Sequence, residues 1–268
     1  MAQTVDIDDP TDPRLDDFRD LNSSDRRPDL PEGKGLVIAE GVLVAQRLLT
    51  SRFEPISFLG VERRRAELAA DLEVTDAPFY RTTAEVMAEV VGFHLNRGVL
   101  AAARRPDPLD LDAVLTNAHT VAVLEGVNDH ENIGSIFRNA AGLGADAVLF
   151  GGRCADPLYR RAVRVSMGHV LRVPFATVPE WPRGLELLRQ KDFRIVALTP
   201  DPKAETLATA MTGGRVALLL GAEGPGLAEH TMRQCDVRAR IPMAPGTDSL
   251  NVATAAAMAF YERVRMHT

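Results

Sequence analysis

Short apolar runs alternate with amphipathic stretches through most of this 268-residue chain. Between residues 35 and 105, short apolar runs typical of β-strands precede stretches whose apolar residues recur at helical spacing. The strand-like runs are GLVIAEG, ISFLG, APFY and RGVLAAARR, and the helix-like stretches are VLVAQRLLTS, VERRRAELAADL and TTAEVMAEVVG. This alternation predicts a small α/β domain over residues 33–105.

A second α/β domain is predicted over residues 119–268, after a linker rich in Pro and Asp at residues 106–118. Six strand-like runs, separated by helix-like stretches, predict a parallel sheet that is covered on both faces. These runs are VAVLEGV, DAVLF, HVLRVPF, FRIVALTP, RVALLLG and VRARIPM. The last helix is predicted over SLNVATAAAMAFYERVRM. Such sheets bind ligands beyond the carboxyl ends of their strands, so the loops there are the first place to look for chemistry.

The charge of the chain is unevenly distributed. Its net charge is −6, and residues 1–32 alone hold ten acidic residues against four arginines. This acidic segment has few apolar positions and is predicted to be a partly disordered arm. Residues 153–172 carry five arginines and one acid, which suits either an RNA-phosphate surface or a solvated helix face. Charge alone favours the solvated face.

Three loops at the predicted strand ends carry polar and glycine residues. In NDHENIGSIFRNAAGLG, Asn132 is predicted to cap a helix that contains Arg138. LLLGAEGPGL runs from a buried strand into a glycine-rich turn, and IPMAPGTDSLN leads to a helix that either Ser249 or Asn251 caps. Each loop also fits an ordinary connection. The spacing of the glycines differs from GxGxxG, which disfavours a nicotinamide-dependent oxidoreductase.

Together and in this order, the three loops resemble the SpoU-type RNA ribose methyltransferases of the SPOUT superfamily. The resemblance covers residues 118–266 through ENIGSIFRNAAGLGA, LLLGAEGPGL and IPMAPGTDSLNVATAAA. Residues 35–105 resemble, on the weaker motifs VIAEG and HLNRGVLAAA, the family's ribosomal-protein-like substrate-binding domain. The resemblance implies a C-terminal parallel-sheet domain with a deep trefoil knot, a homodimer formed through that domain, and S-adenosylmethionine (AdoMet) as cofactor.

The resemblance also implies roles for particular residues. It places AdoMet against Gly221, Ile241 and Leu250, with Leu220 and Met243 beside them. It assigns the substrate-facing polar positions to Asn132, Arg138, Glu223, Ser249 and Asn251. Because guanidinium hardly deprotonates in proteins, Arg138 is expected to stabilise the developing alkoxide and hold a phosphate, in place of acting as a base. RNA phosphates are expected to contact Arg153, Arg160, Arg161 and Arg164.

The predicted function is therefore methyl transfer from AdoMet to a ribose 2′-hydroxyl of RNA. Ribosomal RNA is favoured over transfer RNA because the extra N-terminal domain resembles that of ribosomal RNA enzymes. The alternatives are a transfer RNA ribose methyltransferase and a catalytically silent RNA-binding or ribosome-assembly protein. No metal is expected, because the six histidines and two cysteines lack ligand spacing. A cytoplasmic location is expected, because no secretory signal or membrane-spanning run is found.

Overall fold

The computed structural model describes residues 1–23, 27–30 and 33–267, and the chain forms two compact units. Unit 1 comprises Met1–Asp107 and Pro157–Arg172, and unit 2 comprises Pro108–Asp156 and Val173–Thr268. The sequence-based division placed residues 157–172 inside the methyltransferase domain. In the structure this segment packs with the N-terminal unit instead.

Residues up to Asp107 form a mixed five-stranded sheet with helices. The elements are β1 (Thr4–Asp6), a 3-10 helix (Pro13–Phe18), β2 (Leu36–Glu40), α1 (Val42–Leu49), β3 (Pro55–Gly60), α2 (Glu62–Glu67), a 3-10 helix (Asp71–Val74), β4 (Phe79–Arg81), α3 (Ala84–Val91) and β5 (Val99–Arg104). The strand order is β1-β4-β3-β5-β2. Strand β5 runs antiparallel to both of its neighbours, whereas β1, β4 and β3 are parallel.

The acidic N-terminal segment is part of this unit, which corrects the expected partly disordered arm. Strand β1 pairs with β4, and Leu15 and Phe18 are fully buried in the 3-10 helix. Ile7 and Leu21 join the same apolar cluster on one face of the sheet. The apolar residues are few, but their spacing lets them cover the sheet while most of the acidic positions stay at least partly exposed; Asp29 is buried. Of the arm, residues 24–26, 31 and 32 lie outside the described residues.

From residue 108 onward the chain alternates strands with helices. The elements are α4 (Leu111–Thr116), β6 (Thr120–Glu125), α5 (His130–Leu143), β7 (Ala147–Phe150), α6 (Arg160–Val165), a 3-10 helix (His169–Leu171), β8 (Phe175–Thr177), α7 (Leu185–Arg189), β9 (Phe193–Leu198), β10 (Glu205–Thr206), α8 (Leu207–Ala210), β11 (Arg215–Gly221), α9 (Glu229–Met232), β12 (Val237–Arg240) and α10 (Val252–His267). The predicted linker thus contains a helix, α4, whose first turn is capped by the Asp110 carboxylate.

Unit 2 is built on a seven-stranded sheet in which every paired strand is parallel. The order is β10-β12-β9-β11-β6-β7-β8. Strands β6 and β7 are buried along their whole length, as expected for a sheet with helices on both faces. The predicted parallel α/β sheet is confirmed, with β10 as an added short strand. The run HVLRVPF is only partly a strand, because Gly168 has a φ of +82° and a 3-10 helix follows it.

The segment of residues 157–172 joins unit 1 through a buried ion pair and a buried hydrogen bond. Helix α6 packs on β2, and Arg160 Nη1 lies 2.9 Å from Glu40 Oε2 at the end of that strand. The Arg160 backbone N–H donates to Asp29 Oδ2 at 2.8 Å. Periodicity could not reveal this packing, because the acidic partners lie more than a hundred residues away in the sequence.

Candidate functional site

An open cleft lies at the carboxyl ends of β9, β11 and β12 in unit 2. The empty space in the cleft, including the part that is open to solvent, is about 680 Å³. The five residues predicted to contact the cofactor all line this cleft: Leu220, Gly221, Ile241, Met243 and Leu250. Glu223 and Ser249 line it as well. The structure therefore brings the second and third sequence loops to one place.

The loop of residues 221–227, called the cofactor loop below, is folded back on itself. The Gly226 N–H donates to the Ala222 carbonyl at 3.0 Å, and Gly224 and Gly226 have φ values of +84° and +69°. A Cβ atom on Gly221 would lie 2.3 Å from the Gly226 carbonyl carbon. Only glycine fits where two backbone segments approach so closely, and the cleft wall here is consequently made of backbone.

Three polar side chains meet beside this loop, one from each of the three sequence loops. Asn251 Nδ2 lies 2.7 Å from Asn132 Oδ1 and 2.7 Å from Glu223 Oε1. Asn132 Nδ2 donates to the same Glu223 oxygen at 3.1 Å. Asn132 is 9% exposed, so its amide is almost fully removed from water. We call these three residues the polar cluster.

Helix caps hold two members of the polar cluster in place. Asp129, and not Asn132 as the sequence suggested, caps α5, because its Oδ1 accepts from the N–H groups of Glu131 and Asn132. Asn132 thus lies within the first turn of the helix. Of the two candidate caps for α10, Asn251 performs the role: its Oδ1 accepts from the Ala253 and Thr254 N–H groups at 2.9 and 3.1 Å. The side-chain oxygen of Asn251 therefore caps α10, while its side-chain nitrogen donates within the polar cluster.

The structure does not bring Arg138 into the polar cluster or the cleft lining. Arg138 is exposed on α5, six residues after Asn132. Six residues of α-helix correspond to about 9 Å along the axis and to a face about 120° away. Within the described residues its guanidinium has no hydrogen bond or ion pair, so its charge is available to an external anion. Ser249 is exposed at the cleft.

The four arginines predicted to contact RNA differ in exposure. Arg153 and Arg161 are exposed, and Arg164 is partly exposed at 3.9 Å from Glu40. Arg160 is 8% exposed and bonded to Glu40 and Asn22, with its guanidinium over the Phe93 ring. The two Nη donors of Arg160 are thus engaged inside unit 1, which disfavours the predicted contact of this residue with RNA.

Part of the cleft was missed from the sequence. Leu198, Thr199 and Pro200 line it at the end of β9, and Val252 and Ala255 line it from α10. The run FRIVALTP was recognised as a strand, but its last residues were not considered as a ligand-facing loop. Since neighbouring parallel strands end at one edge of a sheet, the polar Thr199 directly after a buried run was the available signal.

Metal-binding groups and membrane-spanning helices are both absent from the part of the chain that the structure describes. Residues 1–23, 27–30 and 33–267 contain no group of three or more His, Cys, Asp or Glu placed to hold a metal ion. Across the same residues, no helix has both the length and the apolar character needed to cross a bilayer.

The fold and cleft define an α/β domain of the kind that binds a small ligand at the carboxyl ends of parallel strands. Residues 119–261 match the SpoU rRNA Methylase family. The chain belongs to this family, which confirms the resemblance seen in the sequence loops.

Relatives and solved structures extend the comparison to nearly the whole chain. An uncharacterized tRNA/rRNA methyltransferase of Mycobacterium tuberculosis is 64% identical over 263 residues, covering 97% of this chain and 91% of the relative. The 23S rRNA (guanosine-2′-O-)-methyltransferase RlmB of Acinetobacter baylyi is 33% identical over 192 residues, covering 69% of this chain and 77% of the relative. The AdoMet-bound rRNA methyltransferase of Sinorhizobium meliloti has the same fold, with a TM-score of 0.79, 23% identity and 99% coverage of both chains.

Proposed function

We propose that this protein transfers a methyl group from AdoMet to a ribose 2′-hydroxyl of RNA, and that the RNA is ribosomal. The polar cluster beside the cleft is the observation that carries the proposal. It joins one side chain from each of three loops by hydrogen bonds of 2.7 to 3.1 Å. The names of the relatives support the reaction, since RlmB of Acinetobacter baylyi is a 23S rRNA (guanosine-2′-O-)-methyltransferase.

The residues of the cleft suit AdoMet. Leu198, Leu220, Ile241 and Leu250 offer apolar surface for an adenine ring, and the folded-back cofactor loop offers backbone groups for its polar edge. Glu223 is the one charged side chain among the described residues that line the cleft, and its negative charge complements a cationic sulfonium ligand. AdoMet supplies, when bound, a methyl group that its sulfonium charge has already activated.

The chain must then bind and activate the ribose hydroxyl. In the proposed mechanism the exposed Arg138 guanidinium, which lies outside the cleft lining of the free protein, holds a phosphate of the substrate and stabilises negative charge on the attacking oxygen once RNA is bound. The polar cluster fixes the loop edge against which the ribose lies, and Ser249 contacts the substrate from the cleft. Holding the reacting groups in line can contribute roughly 7–11 kcal/mol at best.

RNA recognition is assigned to exposed arginines and to unit 1. Arg153 of unit 2 and Arg161 and Arg164 of unit 1 are the proposed phosphate contacts. Arg160 is excluded from this set because its guanidinium is buried. Unit 1 is proposed to be the substrate-binding domain, and the cytoplasm is the proposed location of the enzyme.

A homodimer and a knotted C-terminal region are part of the same proposal. Met258, Tyr261 and Val264 are 42%, 58% and 41% exposed and recur on one face of α10, which suits a partner helix. The knot is proposed from the family resemblance, and after β12 the chain returns to place Asn251 beside Glu223.

Methyl transfer from radiolabelled AdoMet to purified ribosomal and transfer RNA tests the proposal, with Arg138→Ala beside the wild type. Label in ribosomal RNA that survives base removal and is lost in the variant is the expected result. Label in transfer RNA alone would instead favour a transfer RNA ribose methyltransferase. The name of the mycobacterial relative, a tRNA/rRNA methyltransferase, covers both substrates. Bound AdoMet with no transfer, even to intact ribosomal subunits, would instead indicate a silent RNA-binding protein.

A further inference from the structure

Glu125 is a buried acidic residue that lies outside the cleft lining and outside the polar cluster. It ends β6 and is 4% exposed. A carboxyl group removed from water requires hydrogen-bond donors. Glu125 has three: Trp181 Nε1 at 2.8 Å and Thr231 Oγ1 at 2.8 Å, both to Oε1, and the Ala228 backbone N–H at 3.0 Å to Oε2.

The position of Glu125 connects it to both ends of the cofactor loop. Gly221, where this loop begins, is paired in register with Glu125 across β11 and β6. Ala228, which follows the last residue of the loop, donates its N–H to the Glu125 carboxyl. The two ends are therefore held by one residue, while the middle of the loop forms part of the cleft wall.

The remaining partners make this anchor rigid. Trp181 packs so tightly on the loop after β7 that a Cβ on Gly151 would lie 2.7 Å from its ring. Thr231 lies in α9 and is fully buried. Two fixed side chains hold the Glu125 carboxyl in one position. The carboxyl can therefore fix the position of its third donor, the Ala228 N–H, because it does not move when the loop moves.

We propose that Glu125 is a positioning residue for the AdoMet site, acting through Ala228 to fix the cofactor loop that carries Gly221 and Glu223. It touches neither substrate nor cofactor. The proposal rests on the AdoMet-dependent function stated above, because it assigns the loop a cofactor to bind.

Glu125→Gln separates this role from general stability. Its amide oxygen replaces Oε1, which serves two donors, and its NH₂ group then faces the Ala228 N–H, donor against donor. We expect the Kd and KM for AdoMet to rise about tenfold, the loss of one hydrogen bond at an ordered site, with a smaller change in kcat. Amide hydrogen exchange across residues 221–228 should become faster without any ligand.

Asp146→Asn is the matched control. The Asp146 carboxylate also accepts backbone N–H groups, from His119 and Thr120 at 2.8 Å each, but at the opposite end of β6. This variant should leave the Kd for AdoMet within twofold of wild type, a difference of about 0.4 kcal/mol.

Unchanged AdoMet affinity and unchanged loop exchange in a folded Glu125→Gln protein would overturn the inference. If that variant does not fold, Glu125→Asp, which keeps the charge but shortens the reach, must show the same rise in Kd. A wild-type protein that binds no AdoMet would overturn the proposed function itself, and this outcome is distinct from wild-type binding that Glu125 variants leave unaltered.

Discussion

The side-chain nitrogen of Asn251 lies 2.7 Å from Glu223 Oε1, while its side-chain oxygen caps α10. One amide thus connects the cofactor loop to the start of the last helix. Because the two atoms of the amide have different partners, substitutions can remove one function and keep the other.

Asn251→Asp should keep the helix cap but place a second carboxylate against Glu223. We expect methyl transfer to fall more than about tenfold, since like charges at hydrogen-bond distance repel and the contact to Asn132 is lost. Thermal unfolding should change little. Asn251→Ser, which also caps helices, is the control without added charge. Equal activity of both variants and the wild type would contradict the role given to the polar cluster.

Gly221→Ala should disrupt the cofactor loop, because its Cβ would overlap the backbone of Gly226. We expect loss of measurable AdoMet binding by calorimetry. Gly142→Ala is the control: it lies in α5 with open space around its Cβ and should be tolerated. A Gly221→Ala protein that binds AdoMet like wild type would show that the cleft wall is not built as described.

Arg160 and Arg161 are neighbours with different expected effects. Arg160→Ala removes the hydrogen-bonded partner of the buried Glu40, leaving Arg97 and Arg164 at 3.9 Å, and should lower the free energy of unfolding by about 3 kcal/mol. Arg161→Ala, at an exposed position, should change it by no more than about 0.5 kcal/mol while weakening RNA binding in a salt-dependent way. Urea denaturation and RNA titration measure the two quantities. Unchanged stability with weaker RNA binding in Arg160→Ala would contradict this account and indicate that Arg160 contacts RNA.

Both cysteines should react slowly with thiol reagents in the native protein. Burial raises the pKa of the Cys235 thiol to about 12 and also raises the pKa of Cys154. A raised pKa means less thiolate at pH 8, and thiolate is the reactive form. Absorbance from a disulfide reagent should therefore increase slowly in buffer and rapidly in denaturant. Fast labelling of Cys235 under native conditions would contradict its burial.

Phe18→Ala tests whether the acidic N-terminal segment belongs to unit 1. Phe18 is fully buried, so truncation should lower the free energy of unfolding by about 3–5 kcal/mol. Val74→Ala, at a position 76% exposed, should have little effect. Denaturant titration measures both. No loss of stability in Phe18→Ala would restore the expectation of a disordered arm.

The periodicity of the sequence predicted the α/β alternation because buried parallel strands and amphipathic helices leave local patterns. The resemblance pointed to five residues that do line one cleft, and their contact with a cofactor stays a prediction. Features that depend on distant partners were not predictable. In the sequence Arg160 looks like a solvated helix residue, because its partner Glu40 is adjacent only in the folded chain. The acidic arm has too few apolar residues to predict that they pack on a sheet. Asp129 was missed as a cap because Asn132, three residues later, is an equally good capping type.

Nucleoside mass spectrometry of ribosomal RNA treated with the protein and AdoMet shows whether the protein methylates a ribose. We expect one 2′-O-methylated nucleoside, present with the wild type and absent with Arg138→Ala. Methylation on a base, or no new methylated nucleoside on RNA or intact subunits while AdoMet binds, would contradict it.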